Sequence, residues 1–438
     1  MVTAELSPYV RATPAGDVVL ALTKGLRQLG HRVTLALPRY AAFEEHGLLL
    51  ARRLTPLSVD GSDVTVFDGQ HSSGAELVLF DIPGLSAPGA LTAPEVDAHL
   101  VDGFRLLGRA SAALVAQRRE QQPFDVVHAH DWPGGLVAAN LDGGPPVVLS
   151  VYHPRPTPLA TGLDRARIVV SPSPSYAATF TDPATSGALA STFAKLAEPV
   201  VGVTSGLDYA THNPATDPAL EARYDAEESD AKARTKGVVQ RELRLELDIA
   251  RPLVLYAGPL DREHGADLVL AALPELLRHP ISLVVAATAP GGLEAGFRVA
   301  AAEHAGSLAF VEAHDAALVR RLHAAADIAL VVPRDAPCET GQLVAQRYGA
   351  IPVAYAAGTA LDTVVDADAA LETGTGFLFD RLERAELVGA VERALAGLAT
   401  PEAWARLRRR VMRLDLGWDR PARRYAQLYR RAIEPVAS

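Results

Sequence analysis

The stretch 252-PLVLYAGPLDREHGADLVLAALPELLRHPISLVVAAT-288 decides the fold of this chain. Its first seven residues form a short apolar run closed by Gly258, which reads as a strand buried on both faces. Residues 265–277 follow with apolar side chains at helical spacing, and 281–288 return to a second buried strand. A strand, a helix and a strand joined by short connections form a parallel pair with the helix as its crossover. In such sheets ligands bind at the carboxyl ends of the strands, so the segment 259–265 is a candidate site.

The same rhythm continues on both sides. Downstream come a helix over 291–304, the strand "LAFVEA", a helix over 315–325 and the strand "DIALVVP". Upstream, "DVVLALTKGLRQLGH" puts Val18, Leu22, Leu26 and Leu29 at helical spacing and stops at Gly30, after which "RVTLALP" reads as a strand. A helix over 97–119, the strand "FDVVHAH", the helix "PGGLVAANL" and the strand "PVVLSVY" repeat the pattern. Between them, 206–250 turns polar and reads as a charged linker followed by a helix. The fold class is therefore α/β, with two Rossmann-like doubly wound domains, 1–205 and 206–415, and a last segment, 416–438, whose apolar residues need a partner face. Only "MVTA" precedes Glu5 to form the first strand, which is short for the centre of a parallel sheet, so either a start upstream of Met1 or a decayed domain is expected.

Composition agrees with that size. The 438 residues suit two domains, and 49% apolar with 21% charged residues is an ordinary globular balance. A net charge of −10 argues against nucleic acid, whose binding needs concentrated Lys and Arg. The densest basic cluster, Arg406, Arg408, Arg409 and Arg410, reads as a solvated helix face. Cys338 is the single cysteine, so no internal disulfide and no thiolate metal cage can form. Glu5 and Pro8 interrupt any signal peptide, and no run of about 20 apolar residues occurs, so a cytoplasmic protein with no membrane partner is expected.

Five segments gather at predicted strand ends, 11–17, 128–132, 152–155, 259–265 and 334–342, and are expected to line a cleft between the two domains. Read in order, "ELSPYVRATPAGDVVLAL", "LPRY", "HAHDW", "SPSYA", "SGLDYATHNPATDP", "PCETGQL", "RYGAIPV", "DTV" and "TGFLF" resemble the bacterial glycogen synthases and plant starch synthases. The resemblance spans almost the whole chain. It implies the GT-B fold, with the last helix crossing back to the first domain. It also implies transfer of glucose from ADP-glucose to an α-1,4-glucan with retention of configuration, using no cofactor and no metal. A nucleotide-sugar and an α-glucan are the implied ligands, with a protein partner in glycogen metabolism as a further one.

Residue by residue, the resemblance carries over incompletely. Matching positions include Glu5, Asp17, Asp131, Asp208, Arg334, Cys338, Gln342, Tyr348, Asp362 and Thr363. Asp131 is the leading candidate for catalysis, with His153 a second. The triplet His128, His130 and Asp131 lacks the further ligand a metal site would need. Asp17 and Asp362 also read as helix caps, and Gln342 and Tyr348 as braces. Against these stand four departures. The family's Lys-Thr-Gly-Gly loop is Arg11-Ala12-Thr13-Pro14 here. Its two diphosphate-binding cations become Pro259 and His264. Its histidine beside the reacting sugar becomes Tyr152, with His153 one residue further on, a shift that reverses side-chain direction along a strand. Its donor-contacting Glu becomes Ala336. Arg11, Arg155, Arg262 and Arg334 are candidate replacement cations, and Glu339 a candidate for the lost carboxylate. Three readings stay open: an active transferase with an altered donor, a pseudoenzyme that binds glucan or a synthase partner, and a GT-B nucleotide-sugar epimerase.

Overall fold

The computed structural model describes residues 1–89, 91–93, 95–141, 143–334 and 339–435, and the chain in it divides into two units, Met1–Ser205 with Trp418–Ser438, and Gly206–Gly417. Unit 1 holds β1 (Thr34–Pro38), β2 (Leu50–Arg52), β3 (Leu57–Val59), β4 (Ser62–Val64), β5 (Val66–Gln70), β6 (Glu76–Phe80), β7 (Val127–His130), β8 (Val147–Ser150), β9 (Ile168–Ser171) and β10 (Val201–Gly202). Two four-stranded runs, β1-β6-β5-β2 and β10-β9-β8-β7, are joined through Val2, which forms parallel bridges with both Ala36 and Ala129. The short "MVTA" segment thus lies at the sheet centre. It is fixed there by Val2 N–H to the His128 carbonyl (2.8 Å) and His130 N–H to the Val2 carbonyl (3.0 Å).

The sheet of unit 1 is mixed rather than parallel throughout. β5 pairs antiparallel with β6 and β2 antiparallel with β5, while β3 and β4 form a separate hairpin. The few residues between β5 and β6 leave no room for a crossover helix, so the second strand has to reverse.

Unit 2 holds β11 (Leu253–Gly258), β12 (Ser282–Ala287), β13 (Leu308–Glu312), β14 (Ile328–Val331), β15 (Ile351–Tyr355) and β16 (Phe377–Phe379), all parallel in the order β13-β12-β11-β14-β15-β16. That order reverses direction at β11 and β14, which is where a doubly wound sheet presents its binding crevice. The helices Ala266–Leu276, Glu294–Glu303 and Ala316–Ala325 fall where the periodicity predicts them. Gly265, at φ +76°, starts the first of these; a Cβ there would stand 2.0 Å from the Val332 carbonyl oxygen, so β14 and the helix can approach only over glycine.

The last helix, Asp419–Ile433, buries Tyr425, Leu428 and Tyr429 in the core of unit 1. The helix Asp230–Glu242 after the polar segment belongs to unit 2 and is anchored by two buried lysines. Lys232 Nζ donates to the carbonyls of His323 (3.3 Å), Ala324 (2.9 Å) and Tyr348 (3.0 Å), while burial holds its pKa well below the ordinary lysine value. Lys236 Nζ meets Asp327 Oδ2 at 2.6 Å. The arginine cluster forms a solvated face only in part: Arg406 and Arg409 are exposed, while Arg408 and Arg410 turn toward the chain. Arg410 donates to the carbonyls of Leu371, Glu372, Thr373 and Gly374 at 2.8–3.1 Å, and Arg408 Nη2 lies 3.6 Å from Asp327 Oδ1. The left-handed backbone at Leu371 and Gly374 turns those carbonyls toward the helix, creating acceptors that no sequence pattern announces.

Candidate functional site

Unit 1 brings its candidate residues together at the carboxyl ends of the Val2 segment, β7 and β8. Asp131 opens the helix Asp131–Ala138 with φ +55°, a strained setting for a side chain with a Cβ. Three hydrogen bonds into its carboxylate hold it there. Oδ1 accepts from the backbone N–H groups of Tyr152 and His153, both at 3.0 Å, and Oδ2 lies 2.7 Å from His153 Nδ1. Asp131 therefore clamps the turn that leaves β8. His153 faces it because β8 ends at Ser150, so strand alternation does not govern residue 153. Tyr152 is the residue turned inward: it is fully buried, with its hydroxyl 3.0 Å from His130 Nδ1.

Beneath that turn runs a buried polar network that ties the last helix to the sheet. His128 Nδ1 lies 2.7 Å from the Tyr429 hydroxyl and its Nε2 2.8 Å from Ser150 Oγ, while the two imidazoles of His128 and His130 are 4.1 Å apart. Burial pushes both histidines down, His130 to about 3, so both are neutral at pH 7. The His-x-His pair serves packing between β7, β8 and the helix.

The loop at 11–14 closes on Glu5. The Glu5 carboxylate accepts from Ala12 N–H (2.6 Å), Thr13 N–H (2.5 Å) and Thr13 Oγ1 (2.7 Å). Arg11 points outward and pairs with Asp17 at 2.7 Å. Asp17 is the third residue of the helix Ala15–Gln28, whose cap position is Pro14, so it does not cap.

In unit 2 the turn after β11 is closed from within. Asp261 Oδ1 accepts from His264 N–H (2.8 Å) and lies 2.8 Å from His264 Nδ1. Gly265 N–H and Ala266 N–H donate to the carbonyls of Arg262 and Asp261, both at 3.1 Å. The backbone N–H groups of residues 264–266, at the start of the helix Ala266–Leu276, are thus engaged. Arg334 forms a two-pronged pair with Asp267 (2.5 and 3.1 Å) and donates to the Arg262 carbonyl (2.6 Å). The Arg262 guanidinium is exposed and has no partner among the described residues. Tyr256, His264, Val332, Glu339 and Gly341 line a recess of about 20 Å³, room for roughly one water.

Glu339 Oε1 accepts from Gly341 N–H at 2.5 Å. Gln342 is fully buried, and its Nε2 donates to the Glu339 carbonyl and to Thr363 Oγ1, both at 3.2 Å. It braces the turn against the short helix Gly358–Thr363. Asp362, fifth of the six residues in that helix, is exposed and does not cap its start. Tyr348 braces too, through its hydroxyl to Asp217 Oδ2 (2.5 Å). Ala336 and Cys338 lie outside the described residues. Asp208 holds a local turn by accepting from Ala210 N–H at 3.0 Å. Sequence reasoning missed Asp261 and Asp267 as the partners of His264 and Arg334. The spacing Asp261-x-x-His264 before a helix was the available signal, since a carboxylate there caps the N–H three residues on.

Two glycogen synthases align with the chain end to end: that of Anaeromyxobacter sp. (strain Fw109-5) at 31% identity over 99% of both chains, and that of Acidiphilium cryptum (strain JF-5) at 33% over 98% of both. The chain belongs to the glycogen synthase family. The starch synthase catalytic domain matches residues 1–153. Among solved structures, the catalytic domain of starch synthase IV from Arabidopsis thaliana, bound to ADP and acarbose, superposes with a TM-score of 0.84 at 24% identity, covering 99% of this chain and 98% of that one. The fold is therefore GT-B, and the chain is a glycogen synthase-like glycosyltransferase by family. Among the described residues no helix is long and apolar enough to cross a membrane.

Set beside the glycogen synthase motifs named above, the geometry is uneven. Asp131 receives three hydrogen bonds from Tyr152 and His153. Tyr152 is withdrawn into the core. Neither Lys nor Arg stands at 259 or 264.

Proposed function

We propose that this protein descends from enzymes that transfer glucose from a nucleotide-glucose, ADP-glucose by the resemblance, to an α-1,4-glucan, and that its own catalysis is strongly impaired. The observation that carries this is the turn after β11. A departing diphosphate needs cations and free N–H donors at a helix start. Here the N–H groups of residues 264–266 already donate to Asp261 and Arg262, and no Lys or Arg stands at 259 or 264. Losing one such group typically costs a factor of about 10² to 10³ in turnover, so two losses lower the rate by at least about a thousandfold. The burial of Tyr152 supports the same reading. Arg11, Arg334, Gln342, Asp362 and Thr363 remain as donor-site candidates, and Asp131 with His153 as the candidate catalytic pair.

What remains is a protein that binds a glucan, or a partner in glycogen metabolism, in the cytoplasm. Residual transfer has one observation in its favour, the unpartnered guanidinium of Arg262 beside the vacated positions. Calorimetry with ADP, ADP-glucose and UDP-glucose, followed by label incorporation from ADP-glucose into glycogen, separates the two. Weak donor binding with glucan binding intact is the expected result. Incorporation at the rate of an intact relative overturns the proposal and assigns the diphosphate to Arg262.

A further inference from the structure

Glu5 is 3% exposed. It ends the segment that joins the two halves of the unit 1 sheet. Its Oε2 receives two consecutive backbone N–H groups, from Ala12 and Thr13, and its Oε1 receives the Thr13 hydroxyl. Consecutive N–H groups converging on one anion form a nest. Thr13 Oγ1 in turn accepts from Ala15 N–H (3.1 Å), passing the restraint into the first turn of the helix Ala15–Gln28. Pro14 contributes no N–H, so residues 12 and 13 carry the tether. Immediately before them stands Arg11, outward and paired with Asp17.

We infer that Glu5 is the positioning residue of the 11–13 turn, and through that turn sets the backbone from which Arg11 reaches an anionic ligand. The inference rests on the proposed reading that Arg11 faces the phosphates of a nucleotide-sugar. A glutamine of the same shape would accept the same two N–H groups without the cost of burying a charge, so the retained carboxylate makes the turn responsive to protonation. The groups that face Glu5 work in that direction. Burial raises its pKa first, the hydrogen bonds from Thr13 and Ala12 oppose this, and the charge of Asp131 adds to the rise; the Tyr40 hydroxyl is the other titratable neighbour. On the outer side of the turn lies the Arg11–Asp17 pair. Protonated, Glu5 holds the two N–H groups less firmly, and the turn loosens.

The test uses the full chain with 15N-alanine and 15N-threonine, in wild type, Glu5→Gln and Glu5→Ala, from pH 4 to 8, with ADP-glucose as the probe. The Ala12 and Thr13 amide signals are expected to move together with one midpoint in the wild type and not in Glu5→Gln. Wild-type affinity for ADP-glucose is expected to fall at least about fivefold as pH drops through that midpoint, beyond the nucleotide's own titration, while Glu5→Gln stays flat. Adding Arg11→Ala to Glu5→Ala is expected to weaken binding no further, because both act through one contact. Equal pH dependence in wild type and Glu5→Gln, additive losses, or the absence of any ADP-glucose-induced shift at Ala12 and Thr13 overturns the inference. If Glu5→Ala fails to fold, the comparison of wild type with Glu5→Gln decides alone. Tight binding and fast transfer by the wild type would defeat the reading of impaired catalysis, yet leave these comparisons intact.

Discussion

Replacing Pro259 with arginine and His264 with lysine returns two cations to the start of the helix Ala266–Leu276, and the structure indicates how much of their charge a phosphate would feel. Residue 264 is bound to Asp261 through its own N–H (2.8 Å) and its ring (2.8 and 3.0 Å). A lysine there meets the same carboxylate. An ion pair at about 4 Å with an effective permittivity near 20 is worth about 4 kcal/mol. With His264 and Asp261 side chains 27% and 32% exposed, solvent screening reduces that to about 1 kcal/mol. Pro259→Arg with His264→Lys should therefore tighten ADP binding by about tenfold through residue 259, with most of the second cation neutralised. Adding Asp261→Asn, which still caps the 264 N–H but carries no charge, should contribute about fivefold more. Calorimetry with ADP at two ionic strengths reads both steps, and the gains should shrink at high salt. Should the triple variant bind ADP no more tightly than the wild type at low ionic strength, the argument that lost cations and a competing carboxylate disable this turn would be refuted.

Other consequences follow from the buried charges and the last helix. Lys232→Met leaves the buried carbonyls of His323 and Ala324 without a donor, while the Tyr348 carbonyl keeps the Tyr224 hydroxyl at 2.8 Å, and should cost about 2–4 kcal/mol, seen as a lower urea midpoint with an unchanged slope. His130 and His323 titrate near 3 in the folded chain because burial disfavours their charged forms, against about 6.5 unfolded. Their folded pKa values lie below the unfolded ones, so the stability they contribute is complete above about pH 6.5 and is lost as pH falls toward 3, at about 1.4 kcal/mol per unit for each. Denaturation midpoints at pH 7, 6 and 5 should drop accordingly, and a flat profile would count against neutral burial. Truncation after Asp415 removes Tyr425, Leu428 and Tyr429 from the unit 1 core at about 1.5–3 kcal/mol each, and thermal melting should show early loss of that unit; melting identical to that of the full chain would disprove the packing.

Much of the architecture was legible in the sequence because periodicity is local. The strand over 253–258 and the helix over 266–276 follow from apolar runs and spacing within a dozen residues, and the order of the family's motifs carried the fold class. The mixed edge of unit 1 was not legible, since strand direction there depends on how short connections reverse, and β2 to β4 have only three residues each. The candidate site was legible as a set of positions and not as a set of contacts. Substitution at 259 and 264 is visible in the chain, but the capture of His264 by Asp261 and of Arg334 by Asp267 is not.

By itself the sequence determined the alternation of strands and helices and the family. Only the tertiary structure decided which partners the candidate side chains meet. Lys232 meets carbonyls 91 to 116 residues away, and His128 meets Tyr429 across 301 residues. Such contacts arise where the chain returns to the same place through packing, and a hydrogen bond depends on distances of a few tenths of an ångström that no local pattern encodes. For the same reason Arg410 reads in the sequence as one of four exposed charges, whereas in the fold it closes a loop of four carbonyls.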